Sequence, residues 1–374
     1  MQKSRVWMFF VALAGLCWGV YIPSISEGGK QLPSPYIAFL CVGVAYFLIA
    51  VLLPILILRL RRLKPAWSAR GVTFSTLAGV AGAVGALCVV FATITFGGPK
   101  LYVAPVIFAV APVLNTLVSL FWHPDEGALT FGLPREKPHW SLYIGVVLAG
   151  VGAGSVLYAQ ALAETKGKPV NVADYTFVIF VVLAGLSWGV YVPMIAQGGK
   201  ELKSSYASFL CVGAAYFVIA ILLPLGMLWY SSTQPPHPRP AFLPPINYPN
   251  GITLATLSGA AGAVGALCVI FATFEFKGPR MYVAPVIFAL APVINTVVSL
   301  FWQPSVGGPL YFALPQEMPH WLLFVGIVAA GLGAGLVLFA KELGEVKHAA
   351  HLKHTAAGPA PAGSAVATSE AIKP

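Results

Sequence analysis

The sequence predicts an all-α membrane protein with ten transmembrane helices in two inverted five-helix repeats, and three observations carry this expectation. The chain contains itself twice: residues 13–54 read again at 183–224, and 71–122 read again at 251–302, with about seven positions in ten identical in each block. Apolar residues make up 58% of the chain and charged residues only 9%, against about 25% charged in soluble domains, and the mean hydropathy is +0.82. Each copy carries five long apolar segments, an odd number, so the second copy enters the bilayer from the opposite side to the first.

The spans are expected at 6–24, 36–58, 71–96, 101–122, 139–161, 175–195, 206–230, 251–276, 281–302 and 320–341. Each approaches the ~20 residues that cross a hydrocarbon core of about 30 Å. Lipid offers no partner to an open sheet edge, so the spans are helices. The first follows Lys3 and Arg5 as a signal peptide would, but no small-residue cleavage site follows Ser24, and its twin at 175–195 lies mid-chain. The organisation is then a first repeat over 1–163, a second over 172–343, and a tail over 344–374. The tail is rich in Ala, Gly, Pro and Ser and reads as a disordered cytoplasmic segment, and the Pro-rich stretch 231–250 reads as a loop.

Basic residues set the orientation. Of 22 Lys and Arg, 17 fall on the side that takes the N-terminus, the loops 59–70, 123–138, 196–205 and 277–280, and the C-terminus; 5 fall on the other. Both termini are expected in the cytoplasm of a cell, with the protein multi-pass in the cell membrane, the inner one in a Gram-negative cell. The net charge of +10 is this asymmetry, with attraction to anionic headgroups beside it, and nucleic-acid binding explains it poorly.

Several chemistries are excluded or weakly supported. The five cysteines lie in apolar spans without a C-x-x-C and read as small packing residues. His348, His351 and His354 share a helical face but have no acidic or Cys companion, so no metal site is expected. Gly28-Gly29-Lys30 and Gly198-Gly199-Lys200 lack the remaining residues of a phosphate loop and read as helix caps, so no nucleotide or other cofactor is implied. His123 with Asp125 and Glu126, and His139 and His320 in repeated Pro-His-Trp turns, show no catalytic spacing. An enzyme is therefore not expected.

The paired blocks LCWGVYIPSISEGGK and LSWGVYVPMIAQGGK, APVIFAVAPVLNTLVSLFW and APVIFALAPVINTVVSLFW, and GVVLAGVGAGSVL and GIVAAGLGAGLVL resemble the drug/metabolite transporter superfamily. The EamA-like ten-helix, five-plus-five permeases are the nearest pattern, over roughly 6–343. The resemblance implies transport of a small solute by alternating access, with helices one, three, four, six, eight and nine around a central cavity and five and ten peripheral. The sequence departs from the family after the fourth and ninth spans, where His123-Pro124-Asp125-Glu126 and Gln303-Pro304-Ser305-Val306 precede longer inserts.

The spans so drawn hold no Asp, Glu, Lys, Arg or His in their interiors; Glu27, Lys30, Lys200 and Glu275 stand near helix ends. The solute is therefore expected to be a neutral or zwitterionic polar metabolite, sugar-like or amino-acid-like, with proton-coupled export of drugs or metabolites as the alternative. Pro112 leaves the Phe108 carbonyl without its helical donor, and Asn115, Thr116 and Ser119 follow on one face; Pro292, Asn295, Thr296 and Ser299 repeat the pattern. These side chains either line a cavity or join helices, and both readings stand. Trp18 with Tyr21, and Trp188 with Tyr191, are expected at opposite mouths of a cavity, where they stack on a solute. Trp122, Trp302, Trp140 and Trp321 read as an interfacial belt. Gly15/Gly19, Gly185/Gly189, Gly150/Gly154 and Gly331/Gly335 have the spacing of close helix approach. The implied partners are a small-molecule solute and the lipid bilayer; homodimerisation is allowed.

Overall fold

The computed structural model describes residues 6–124, 130–134, 137–165, 175–233, 248–276, 280–302, 311–315 and 318–356. Within them the chain is helical: α1 (Val6–Lys30), α2 (Pro35–Leu60), α3 (Ala69–Thr95), α4 (Lys100–Phe121), α5 (Trp140–Thr165), α6 (Thr176–Leu202), α7 (Ser205–Thr233), α8 (Pro249–Ile270), α9 (Arg280–Phe301) and α10 (Trp321–Ala356). Nine of these are long and apolar enough to span a bilayer, and α9 has a shorter apolar part, Val286–Phe301. The protein is a multi-pass membrane protein. Outward-facing apolar side chains such as Val147, Val151, Ile179 and Leu332 are about 60% exposed, as lipid contact requires.

Local chemistry fixes the helix starts. Ser34 Oγ accepts from the Tyr36 N–H, Ser68 Oγ from Gly71 and Ser204 Oγ from Ala207, which satisfies donors that a helix start leaves over. Single π turns widen α2 at Leu48–Leu52, close α3 at Phe91–Thr95, widen α7 at Val218–Leu222 and follow α8 at Phe271–Glu275. In α2 and α7 the cause is a proline. Pro54 and Pro224 supply no N–H to the carbonyls of Ala50 and Ala220 four residues back, and the turn before each opens.

Those two carbonyls then meet glycines of the other helix. A Cβ on Gly213 would fall on the Ala50 oxygen, and one on Gly43 would fall on the Ala220 oxygen. Helices α2 and α7 thus cross with backbone against backbone. The remaining packing also runs mostly between the copies. Helix α1 lies between α8 and α9, α6 lies between α3 and α4, and α5 packs on α10.

Several sequence expectations change. Helix α1 continues past 24 to Lys30, because the Gly28-Gly29 pair packs onto α8 and the π turn of α3 and does not end the helix. Helix α10 runs to Ala356, beyond the expected start of the tail at 344; residues 357–374, the Asp125–Glu126 pair and most of the 231–250 loop lie outside the described residues. Trp140 and Trp321 are exposed as a belt requires, but Trp122 and Trp302 are buried beneath isolated β-bridges to Phe131 and Phe312. Gly150, Gly154 and Gly335 face open space, whereas Gly145, Gly152, Gly326 and Gly333 make the close α5–α10 contact.

Candidate functional site

A small cavity of about 80 Å³ lies between the two copies, and its wall is built from repeat mates. Trp18 and Trp188, Tyr21 and Tyr191, Tyr46 and Tyr216, Phe108 and Phe288, and Gly82 and Gly262 all contribute. Each side chain is positioned by a helix of one copy against a helix of the other. The Trp18 indole on α1 donates to the Gly262 carbonyl of α8 at 3.3 Å, and the Trp188 indole on α6 donates to the Gly82 carbonyl of α3 at 3.2 Å. Both rings lie over a further glycine, Gly265 and Gly85 respectively, where any Cβ would enter the indole.

The rings form a continuous set. Trp18 meets Phe288 edge-on at 5.8 Å between centroids, Phe108 meets Trp188 at 6.3 Å, and Phe108 and Phe288 meet each other at 6.0 Å. Tyr21 reaches Trp188 of the other copy at 6.0 Å. Tyr46 and Tyr216 close one side as a parallel pair, centroids 3.7 Å apart and planes 2° from parallel. Among the described residues, no ionisable side chain other than these tyrosines lines the space. The Tyr21 hydroxyl is buried there without a hydrogen-bond partner.

Of the sequence-derived site residues, the structure brings Trp18, Tyr21, Trp188 and Tyr191 around this one cavity, not at two separate mouths. Each of α1 and α6 packs against the opposite copy, and Tyr21 of α1 there meets Trp188 of α6. Asn115, Thr116, Asn295 and Thr296 are buried but do not line it. Asn295 Nδ2 donates to the Lys100 carbonyl at 3.2 Å, Asn115 Oδ1 accepts from Lys341 at 3.2 Å and from Ser119 at 3.4 Å, and Thr296 Oγ1 donates to the Pro292 carbonyl one turn back at 2.8 Å. Tyr46, Tyr216, Phe108 and Phe288 were passed over in the sequence, although their duplication marks them as strongly as Trp18 and Trp188. Helices α2 and α7, which carry Tyr46 and Tyr216, line the cavity as well; among the described residues α5 and α10 contribute nothing to it.

The expectation of helix interiors free of charge is corrected at Glu27. With α1 extended to Lys30, its carboxylate is 5% exposed and pairs with Lys100 Nζ at 2.9 Å; Lys100 also donates to the Trp302 carbonyl at 3.3 Å, and Lys30 stands 3.8 Å from Glu27. One carboxylate oxygen, Oε2, has no hydrogen-bond partner. The second copy carries Gln197 in the corresponding place, so the feature belongs to one end of the molecule only. Other ion pairs are more exposed: Arg61 with Glu275 at 3.0 Å, Glu275 also accepting from the Tyr206 hydroxyl, and Arg70 with Glu201 at 3.4 Å.

No group of three or more metal-ligating side chains occurs among the described residues. No protein-family model and no curated protein matches the chain.

The asparagine contacts give an expected result. Asn295→Ala removes the side-chain bond to Lys100 and should lower unfolding stability by about 1 kcal/mol, with solute affinity per folded molecule unchanged. Thermal unfolding in detergent beside a binding isotherm checks both, and a loss of affinity with unchanged stability would reverse the assignment.

Proposed function

We propose that this protein moves a small neutral or zwitterionic solute across a membrane by alternating access, as an EamA-like permease of the drug/metabolite transporter superfamily. Its ten helices would form two inverted five-helix repeats about a pseudo-twofold axis in the membrane plane. The single observation that carries this reading is the composition of the cavity wall, in which five pairs of repeat mates face one another across the interface between the copies. A duplicated wall around one site is what rocking of one repeat against the other needs, since each copy can close its own side of the same space. Catalysis has no counterpart support, because the cavity offers no nucleophile beside a base. Purified protein in liposomes, screened with pooled labelled metabolites, tests the reading: saturable uptake supports it, and no uptake by folded protein counts against it.

The orientation follows the 17 to 5 distribution of basic residues, with both termini cytoplasmic. Cysteines introduced singly into 231–250 should label from outside intact cells, whereas those in 59–70 should not. The reverse pattern would refute the topology.

A second reading, proton-coupled export, draws on Glu27. Its carboxylate is buried at a membrane-helix end and held by a lysine, and an ionisable group so placed in a span is a functional candidate. Uptake driven by a pH gradient in the wild type and lost in Glu27→Gln would favour this reading over uncoupled movement.

A further inference from the structure

The cavity specifies more than a small solute, and the point that does so is the Tyr46–Tyr216 pair. Two parallel rings with centroids 3.7 Å apart stand closer than the roughly 4.5–7 Å usual for aromatic pairs, face against face. The pair is held so by the crossing of α2 and α7, one turn beyond Gly43 and Gly213. The cavity beside it, at about 80 Å³, is smaller than the roughly 150 Å³ apolar cavity that admits benzene. A solute larger than a few waters must therefore widen this space.

Resting on the transport reading above, we propose that the solute carries a flat aromatic ring without net charge, which enters between Tyr46 and Tyr216. Each tyrosine then exchanges its close-held ring partner for the face of the solute ring, and the solute edge meets Phe108 and Phe288. The indole N–H groups of Trp18 and Trp188 are already donated to backbone carbonyls, so they offer ring surface and not hydrogen bonds. The Tyr21 hydroxyl, buried in the wall without a hydrogen-bond partner, is left to bind a single polar group of the solute. A full cation is disfavoured: among the described residues no carboxylate lines the space, and a charge entering it is stripped of its water.

The test uses matched probes that differ only in flatness, on the full chain. Labelled L-phenylalanine is compared with L-cyclohexylalanine, and phenol with cyclohexanol, by equilibrium dialysis in detergent and by uptake into proteoliposomes; tetraethylammonium is the cationic control. The flat member of at least one pair should bind at least about tenfold more tightly than its saturated partner. Tyr46→Leu and Tyr216→Leu should each weaken that binding about three- to tenfold, and Tyr46→Phe should leave it within about twofold. Equal binding of flat and saturated probes, preference for tetraethylammonium, no binding of any probe, or wild-type binding by folded leucine variants would overturn the inference. The wild-type comparison stands even where a leucine variant does not fold. Flat-selective binding without uptake would sink the transport reading alone, and uptake of saturated probes without flat preference would sink this inference alone.

Discussion

Lys100→Met should be among the most destabilising single substitutions in the chain, at about 3–5 kcal/mol. The Glu27 side chain is 6% exposed and that of Lys100 14% exposed, so removing the ammonium leaves a carboxylate with little water and only the longer pair to the half-exposed Lys30, at 3.8 Å. Breaking a buried pair from one side costs this much because the remaining charge is uncompensated, while removing both charges costs far less. The double variant Glu27→Gln, Lys100→Met should therefore recover most of the loss. Glu27→Gln alone places at this end the residue the second copy already carries at Gln197, and should cost less than Lys100→Met, since the ammonium keeps the Trp302 carbonyl. Unfolding of the four proteins in mixed detergent measures the cycle. A Lys100→Met loss below about 1 kcal/mol, or a double variant no better than the single, would show that the pair is solvated in the membrane.

This cluster also marks the limit of what could be read from the sequence. The helical, membrane-embedded character was legible because composition and span length dictate it, and the duplication named the Trp and Tyr residues of α1 and α6. The sequence places Glu27 near a helix end, beyond the span 6–24, because the glycines after it look like a cap. They are instead packing positions: a Cβ on Gly28 would meet the α8 backbone at Ala255, and one on Gly29 would meet Ile94. Only the neighbouring helices decide between those roles, and a single sequence does not show them. Asn115 and Asn295 failed as cavity residues for a related reason. Pattern places them on one helical face, but which partner that face meets depends on how the copies interlock. Tyr46 and Tyr216 were legible in principle, being duplicated, and were obscured by lying in spans that otherwise read as plain lipid-facing helix.

Gly43→Ala and Gly213→Ala should each destabilise by about 3 kcal/mol, at the upper end of the range for overpacking. The added methyl meets a backbone carbonyl, Ala220 in one case and Ala50 in the other, and a carbonyl cannot rotate away as a side chain can. Those oxygens stand in place because Pro224 and Pro54 remove their helical donors, so the tight crossing of α2 and α7 follows from two prolines and two glycines repeated in sequence. Gly226→Ala supplies the control in α7 itself: nothing lies within 4 Å of its added Cβ, and the better helix propensity of alanine should leave stability unchanged or raise it by up to about 1 kcal/mol. The expected contrast is thus a fall at Gly213 and none at Gly226, read by unfolding in the same detergent. The crossing also sets the spacing of Tyr46 and Tyr216 one turn further on, so the folded fraction of Gly43→Ala should bind flat solutes differently from wild type. Equal stability of Gly213→Ala and Gly226→Ala would mean that α2 and α7 do not approach this closely, and the stacked tyrosines would lose the contact that holds them together.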